Sequence, residues 1–315
     1  MAKPNGELTG TFTSCIQKCA ERSGCVLVDY IADQGTCYLK SSVGAKISGS
    51  KGVWGAQVKK STAAATTQTK STTSSSSSGG NKRGVAYNDG SLASLYKTSN
   101  SKVSWGYNWI QWEDDAFKSS GFPFFPMLHD TGADRTASWV SDAKKTGATH
   151  ALSFNEPDQC GGGGTCMTDP VSTAGDHKEW FKDLEGGSMK IVAPAVTNGP
   201  APMGLDYLKK FLSACEKLTC QIDVVAIHWY SPPVFKDFKS HVEAAYEAGG
   251  GRPVWITEFA PSGSTDEKVA FLKEVLPWLD AQDYVEKYAY HWTNEGSDLV
   301  QSSALTSIGS VYSTY

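Results

Sequence analysis

Two glutamates in this chain of 315 residues stand where residue type and position together allow chemistry. Ala151-Leu152-Ser153-Phe154 is a short apolar run that stops on Asn155, Glu156 and Pro157. It has the form of a buried strand ended by an amide, a carboxylate and a proline. Pro253-Val254-Trp255-Ile256-Thr257 runs in the same way into Glu258. A carboxylate at the end of a buried strand lies half in the core and half at its rim, where the acids of parallel-strand barrels are found. Glu156 alone would as readily cap the next helix or pair with an arginine. Two such strands, separated by about three strand–helix units, point to one site with two acids.

Paired carboxylates suit the hydrolysis of a glycosidic bond. At a separation of about 5 Å one attacks the anomeric carbon while the other protonates the leaving oxygen, and the anomer is retained. An inverting pair needs about 6.5 Å or more, and the sequence leaves that alternative open. Glu156 follows Asn155, whose amide can donate to a sugar hydroxyl, and has no fixed cation beside it in sequence. It is therefore read as the carboxyl that stays protonated, acid first and base afterwards. Glu258 must be ionised and needs donors. His228 and Tyr230, two apart and so on one face of a strand, are expected to supply them. Glu258 is the expected nucleophile.

Eight apolar runs after Lys82 must position these groups: 84–88, 103–109, 122–128, 150–155, 191–196, 224–230, 254–258 and 288–292. Helix-like stretches lie between most of them, at 133–145, 174–184, 205–218, 235–247 and 266–279, the last passing through Pro277. The expected fold is α/β, a (β/α)₈ TIM-type barrel over residues 83–315, with Glu156 closing the fourth strand and Glu258 the seventh. The first two connections are short, so a stunted or missing helix is expected there. A doubly wound sheet is disfavoured because no G-x-G-x-x-G follows the first strand.

With net charge -4 the chain lacks a basic footprint for nucleic acid, and no apolar run is long enough to span a bilayer. Met1 to Gly10 holds no apolar leader core, which reads as a mature or shortened chain. Trp (10), Tyr (13) and Phe (12) are plentiful against 20% charged residues, which suits stacking on the flat faces of a ligand or a thick aromatic core. The eight cysteines fall in local groups, 15, 19, 25 and 37, then 160 with 166, then 215 with 220. That pattern points to disulfides and a secreted protein, extracellular or associated with a cell wall. Residues 61–82 are dominated by Ser, Thr, Ala, Gln, Lys and Gly without an aromatic and read as a flexible linker.

Residues 1–60 are too few for a hydrophobic core of their own and are expected to be stapled. Thr13 to Ala20 reads as a helix, and 25–30 with 35–40 as two strands. This pattern resembles a PAN/apple module, which implies carbohydrate or protein binding. Of three connectivities, Cys15–Cys37 with Cys19–Cys25 is the one expected.

Asn155-Glu156-Pro157, a glutamate ending the seventh strand and Trp292 ending the eighth resemble the clan A glycoside hydrolases. More narrowly, Tyr107-Asn108-Trp109, Phe125-Pro126-Met127-Leu128, the run 152–159, Val225 to Tyr230 and Trp255 to Phe259 resemble glycoside hydrolase family 128. The resemblance implies an endo-β-1,3-glucanase acting on β-1,3-glucan. It also implies that Asn155 binds the sugar next to the cleaved bond and that Trp292 forms a stacking floor. The chain departs from the family after Gln159, where Cys160-Gly161-Gly162-Gly163-Gly164-Thr165-Cys166 forms a small loop beside the acid, expected to be closed by its own disulfide. Tyr107, Trp109 and Trp112 are expected to reach the cleft, with Asn108 and His129 selecting hydroxyls.

Asp158, Asp114 and Asp115 read as helix starts. His228 and His291 lack a third ligand in sequence, so neither metal nor cofactor is expected. No Gly-x-Ser-x-Gly elbow is present. The expected partner is β-1,3-glucan polysaccharide or oligosaccharide, taken up by a monomer without nucleic acid or membrane. The rival readings are another polysaccharide, such as mannan or β-1,4-glucan, and a glucan-binding cell-wall protein that does not cut.

Overall fold

A computed structural model describes residues 82–315 continuously and, before them, 7–9, 15, 18–19, 22, 24–31, 34, 36–42 and 53–57. The chain divides into two compact units, Met1–Ser74 and Ser75–Tyr315.

The first unit is an antiparallel sheet of β1 (Glu7–Thr9), β2 (Leu27–Ile31), β3 (Thr36–Lys40) and β4 (Val53–Gln57), in the order β1-β3-β2-β4. Strands β2 and β3 pair from Leu27↔Lys40 to Ile31↔Thr36, the hairpin expected from sequence. Its core is small. Cys15, Cys19, Cys25 and Cys37 are buried with Val28 and Leu39, and the disulfides are Cys15–Cys37 and Cys19–Cys25, as expected. Sulfur thus supplies much of the interior that so short a chain cannot build from apolar side chains. Cys15, Lys18 and Cys19 are helical; the rest of the expected helix, with Thr13, and residues 61–81 of the expected linker lie outside the described residues.

In the second unit β5 (Arg83–Tyr87), β6 (Val103–Tyr107), β7 (His150–Leu152), β10 (Lys190–Val196), β11 (Val224–Trp229), β12 (Val254–Phe259) and β13 (Val285–Thr293) form one parallel sheet. Its order is β6-β5-β13-β12-β11-β10-β7. Two small hairpins complete the strands, β8 (Cys160–Gly161) with β9 (Gly164–Thr165) and β14 (Val300–Gln301) with β15 (Ala304–Leu305). β10, β11 and β12 are Val/Ile-rich and, apart from exposed Lys190, buried along their length, as parallel strands covered on both faces must be.

The expected third strand, 122–128, is not a regular one. It joins β6 and β7 through isolated bridges, Gly106↔Phe124 and Met127↔Leu152, with Phe125 N–H donating to Gly106 O at 3.0 Å and Leu128 N–H to Leu152 O at 3.0 Å. Pro123 and Pro126 have no N–H to offer, so the ladder is interrupted while the curled sheet still closes through this segment.

The helices are α1 (Asp115–Lys118), α2 (Ala133–Thr136), α3 (Trp139–Lys145), α4 (Pro170–Phe181), α5 (Gly204–Leu218), α6 (Phe235–Ala248), α7 (Thr265–Ala281) and α8 (Ser307–Thr314). After β5 there is only a 3-10 helix, Gly90–Tyr96, and after β6 only the four residues of α1, as the short connections indicated. The expected helix at 133–145 breaks into α2 and α3 at Ser138, whose φ of -122° and ψ of 4° leave the helical region. α7 continues through Pro277 and starts on a capping box, in which Ser264 and Glu267 satisfy each other's backbone N–H groups.

Aromatic rings fill the barrel interior: Trp105 lies 5.4 Å from Trp255, and Phe125 lies 5.1 Å from Trp255. Outside, helix side chains pack on the strands, as where Trp229 stacks on Phe271 at 5.3 Å. α8 locks onto the first barrel strand. Tyr312 OH donates to Gly84 O at 2.7 Å, and the buried Arg83 guanidinium donates to Tyr312 O and pairs with Asp280 at 3.3 Å. Among the described residues no helix is long and apolar enough to cross a membrane.

Cys215 and Cys220, expected as a disulfide, stand as thiols. Cys215 ends the core face of α5 and Cys220 follows the left-handed cap at Thr219, where its N–H donates to Cys215 O at 2.9 Å. Cys220 Sγ donates to Ala174 O at 3.8 Å, and the neighbouring Cys220 thiol together with burial holds Cys215's pKa above its ordinary value.

Candidate active site

Glu156 follows β7 and is carried to the mouth by β10: Asn155 bridges Ala195, and Glu156 N–H donates to Ala195 O at 2.9 Å. Its φ of 41° is left-handed, a costly conformation for a residue with a Cβ, of the kind that gathers at functional sites. Backbone bonds hold it there: Gln159 N–H and Thr165 N–H donate to Glu156 O at 3.1 and 3.3 Å. Asp158 has turned away from the cleft. It accepts from Thr197 Oγ1 at 2.6 Å and from Gly204 N–H at 2.7 Å, so it anchors the start of α5 and not that of the next helix, α4, which Asp169 caps. Asp114 caps α1 through Phe117 N–H at 2.9 Å.

Glu258 lies near the end of β12. A register shift between Ile227 and His228 sets His228 of β11 opposite Glu258, so the irregularity re-aims the imidazole at the site. Glu258 accepts from Trp109 Nε1 at 2.7 Å and from Tyr230 OH. His291 Nε2 lies 3.9 Å from it.

His228 is fully buried between the two acids. Its Nδ1 is 2.8 Å from Glu156 Oε1 and 3.3 Å from Glu258 Oε2, and its Nε2 is 2.9 Å from Thr257 Oγ1. The imidazole therefore serves both carboxylates and not Glu258 alone, and Glu156, with no cation beside it in sequence, has an imidazole beside it in space. Sequence adjacency could not show it, because β11 approaches from across the barrel mouth. One donor atom each from Glu156, His228 and Glu258 lies within 4.8 Å of the others, a spacing that would also suit a metal ion. The hydrogen bonds among these groups already account for the cluster.

Electrostatics separates the groups. Burial pushes Glu258's pKa up, but the charges of His228 and His291 and the hydrogen bonds from Tyr230 and Trp109 outweigh it, leaving the carboxyl below its ordinary value. Burial pulls His228's pKa down, but the Glu258 charge and the bond to Glu156 outweigh that and raise it. His291 is held below its usual value by burial against the opposing Glu258 charge.

The sign of the pH effect follows. Glu258's depressed pKa contributes stability that is present above its unfolded value of about 4.3 and lost as pH falls through the folded one. His228's raised pKa contributes stability that is complete below about 6.5 and lost as pH rises through the folded value. The melting temperature is therefore expected to peak between these limits. His228→Gln should flatten the alkaline arm while leaving an acid arm, which melting curves across pH would show.

A cavity of about 750 Å³ opens over the two glutamates, and Asn155, Trp109, His129, Tyr230 and Trp292 line it with them. His228 sits behind the wall. Tyr107 and Asn108 do not reach the cavity. Tyr107 is buried with its OH donating to Thr257 O at 2.9 Å, and Asn108 braces the turn after β6 through Trp112 O at 3.1 Å. Tyr107 faces the barrel interior and Asn108 holds the turn, before the backbone at Trp109 takes a φ of 62°. Trp112 is half exposed away from the cavity. His129 stands at the rim with Nδ1 2.8 Å from Asp130 Oδ2. Asn155 donates from Nδ2 to Gly163 O at 3.1 Å, and its buried Oδ1 has no partner among the described residues.

Three residues were missed. Thr257 partners His228 from the position before Glu258, and His291 was weighed only as a metal ligand. Gln159, three residues after Glu156, reaches back to it; the i, i+3 spacing across a turn is the signal that could have found it.

Comparison with known proteins agrees with this geometry. The glycosyl hydrolase catalytic core family model matches residues 84–312, and the PAN domain model matches residues 5–71. The fold is similar to a GH128 subgroup III curdlan-specific exo-β-1,3-glucanase from Blastomyces gilchristii, solved with glucose. The identity is 34%, the TM-score 0.68, and the match covers 76% of this chain and 100% of that one. It is also similar to a GH128 subgroup I endo-β-1,3-glucanase from Amycolatopsis mediterranei, solved as a mutant with laminarihexaose. There the identity is 29%, the TM-score 0.60, and the coverage 74% of this chain and 98% of that one. Alkali-sensitive linkage protein 1 of Schizosaccharomyces pombe is 30% identical over 250 residues, 73% of this chain, while the match spans only 44% of that relative's length. With a catalytic-core match running from the first barrel strand into the last helix, this chain belongs to the glycosyl hydrolase catalytic core family and carries a PAN domain ahead of the barrel.

Proposed function

We propose that this chain is a retaining β-1,3-glucanase that cuts within the glucan chain. The observation that carries the reading is the carboxylate pair, with one donor atom each from Glu156, Glu258 and the intervening His228 within 4.8 Å of one another. That closeness favours a direct attack over a gap wide enough for a water molecule. Glu258, kept anionic by Tyr230, Trp109 and the nearby imidazoles, attacks the anomeric carbon. Glu156 gives its proton to the leaving oxygen. Water, deprotonated by Glu156 in the second step, then releases the sugar from Glu258. The free Oδ1 of Asn155 is placed to accept from a sugar hydroxyl, and Trp292 offers a face to the ring's C–H groups. Glucan as substrate is supported by the laminarihexaose and glucose bound in the related GH128 structures.

A cavity of about 750 Å³ is in the range that holds a ligand larger than one sugar ring, which favours internal cleavage. Release of glucose from a chain end is the second reading, favoured by the exo-acting Blastomyces relative. The disulfides and the PAN domain support an extracellular or cell-wall site of action, with the N-terminal module binding carbohydrate or protein. The barrel acts as a monomer on this reading. The test is NMR of the first products from a linear β-1,3-gluco-oligosaccharide. β-Anomers of mid-length fragments are expected; α-anomers would overturn retention, glucose alone would overturn internal cleavage, and binding without cleavage would overturn the enzyme.

A further inference from the structure

The geometry points to Gln159 as a positioning residue for Glu156, held in place by the disulfide-closed hairpin Cys160–Cys166. The inference rests on the reading of Glu156 as the acid. His228 Nδ1 engages Oε1 of Glu156 at 2.8 Å, while Gln159 Nε2 donates to Oε2 at 3.1 Å. One partner alone would leave the carboxyl free to rotate about its last bond. A hydrogen-bond partner on each oxygen fixes the plane, and with it the direction in which a proton leaves.

Gln159 is itself pinned. Its amide also donates to Gly161 O at 3.2 Å, its N–H to Glu156 O at 3.1 Å, and its carbonyl accepts from Cys166 N–H at 2.9 Å. The hairpin explains the glycine run 161–164. Gly162 and Gly163 form its two-residue turn with φ of 60° and 100°, a pairing that glycine adopts without strain. A Cβ on Gly164 would lie 2.4 Å from Gln159 O, so the bare backbone lets the strand press against Gln159. The Cys160–Cys166 bond closes the base of this turn. From the same hairpin Gly163 O takes the Asn155 amide at 3.1 Å, and Thr165 N–H reaches Asn155 O and Glu156 O, each at 3.3 Å. The loop thus grips both residues of the Asn-Glu pair by backbone and side chain, and its Gln159, Gly162 and Gly163 form part of the cavity wall.

The experiment compares the full chain with Gln159→Ala and with Cys160→Ser/Cys166→Ser on two substrates. One is a β-1,3-gluco-oligosaccharide, whose leaving sugar needs a proton. The other is the 2,4-dinitrophenyl β-glycoside, whose leaving group needs none. Both variants are expected to lose about 10- to 100-fold in kcat on the oligosaccharide, with KM within about twofold. On the aryl glycoside kcat/KM should stay within about twofold of the parent. An equal loss on both substrates, a rise in KM at unchanged kcat, or no loss at all would overturn the proposal. If the double serine variant fails to fold, as a melting curve would show, Gln159→Ala decides alone. Failure of the parent chain to cut the oligosaccharide would instead remove the reading of Glu156 on which the proposal rests.

Discussion

Glu258→Gln is expected to lower kcat on β-1,3-gluco-oligosaccharides by on the order of 10⁴-fold or more, equivalent to about 5.5 kcal/mol of barrier. Glutamine keeps the volume, and its one carbonyl oxygen can still accept from Trp109 Nε1 while its amide nitrogen donates to the Tyr230 oxygen, where the native carboxylate accepts from both. It cannot form the glycosyl ester, so the loss reports the missing bond and not a collapsed site. Glu258→Ala opens room for azide on the face the carboxylate attacks. Azide should restore turnover of an activated glycoside and give the α-glycosyl azide by a single displacement, read from the anomeric proton in NMR. Residual activity of Glu258→Gln within about 100-fold of the parent would remove Glu258 from the nucleophile role.

Glu156→Ala should behave differently, and the difference is the diagnosis. An acid contributes about 10²- to 10⁴-fold where a proton must reach the leaving group, and that loss is expected on an oligosaccharide. On a dinitrophenyl glycoside the first displacement should survive and the second, which needs the base, should stall. Azide then attacks the glycosyl-enzyme and yields the β-glycosyl azide. Opposite azide anomers from the two alanine variants assign the two roles directly; the reverse pairing would exchange them. Because His228 contacts both carboxylates, either substitution disturbs a shared partner, and melting curves at the pH of assay must accompany both.

Sequence periodicity revealed much of this architecture. Apolar runs such as Val224 to Trp229 and Val254 to Phe259 read as buried parallel strands, and the polar residues near their ends fall at the barrel mouth. The third strand was placed correctly, but its prolines reduce it to bridges that no apolar count reveals. What stayed hidden was contact across strands. His228 between two acids depends on a one-residue shift of β11 against β12, and Asp158 reaching Gly204 depends on how two loops pack. Tyr107 and Asn108 look like cleft residues because they precede a cleft residue. The turn at Trp109 separates them from it. The Cys215–Cys220 spacing fits either a bond or two neighbouring thiols, and the structure holds the thiols.

The lock between Arg83, Gly84 and Tyr312 also sets the timing of the protein's biosynthesis. These partners lie 229 and 228 residues apart, so the first barrel strand leaves the ribosome long before residues 307–314 exist. At about 5–20 residues per second the wait is on the order of 10–50 s. The N-terminal disulfides, spanning 22 and 6 residues, close over distances the emerging chain has already covered. The barrel has only part of such an option: β5 can pair early with β6, but its other side takes β13 and its start meets α8, both from the far end of the unit. Until then that side of β5 is an unpaired edge, which makes this unit the natural client of a chaperone.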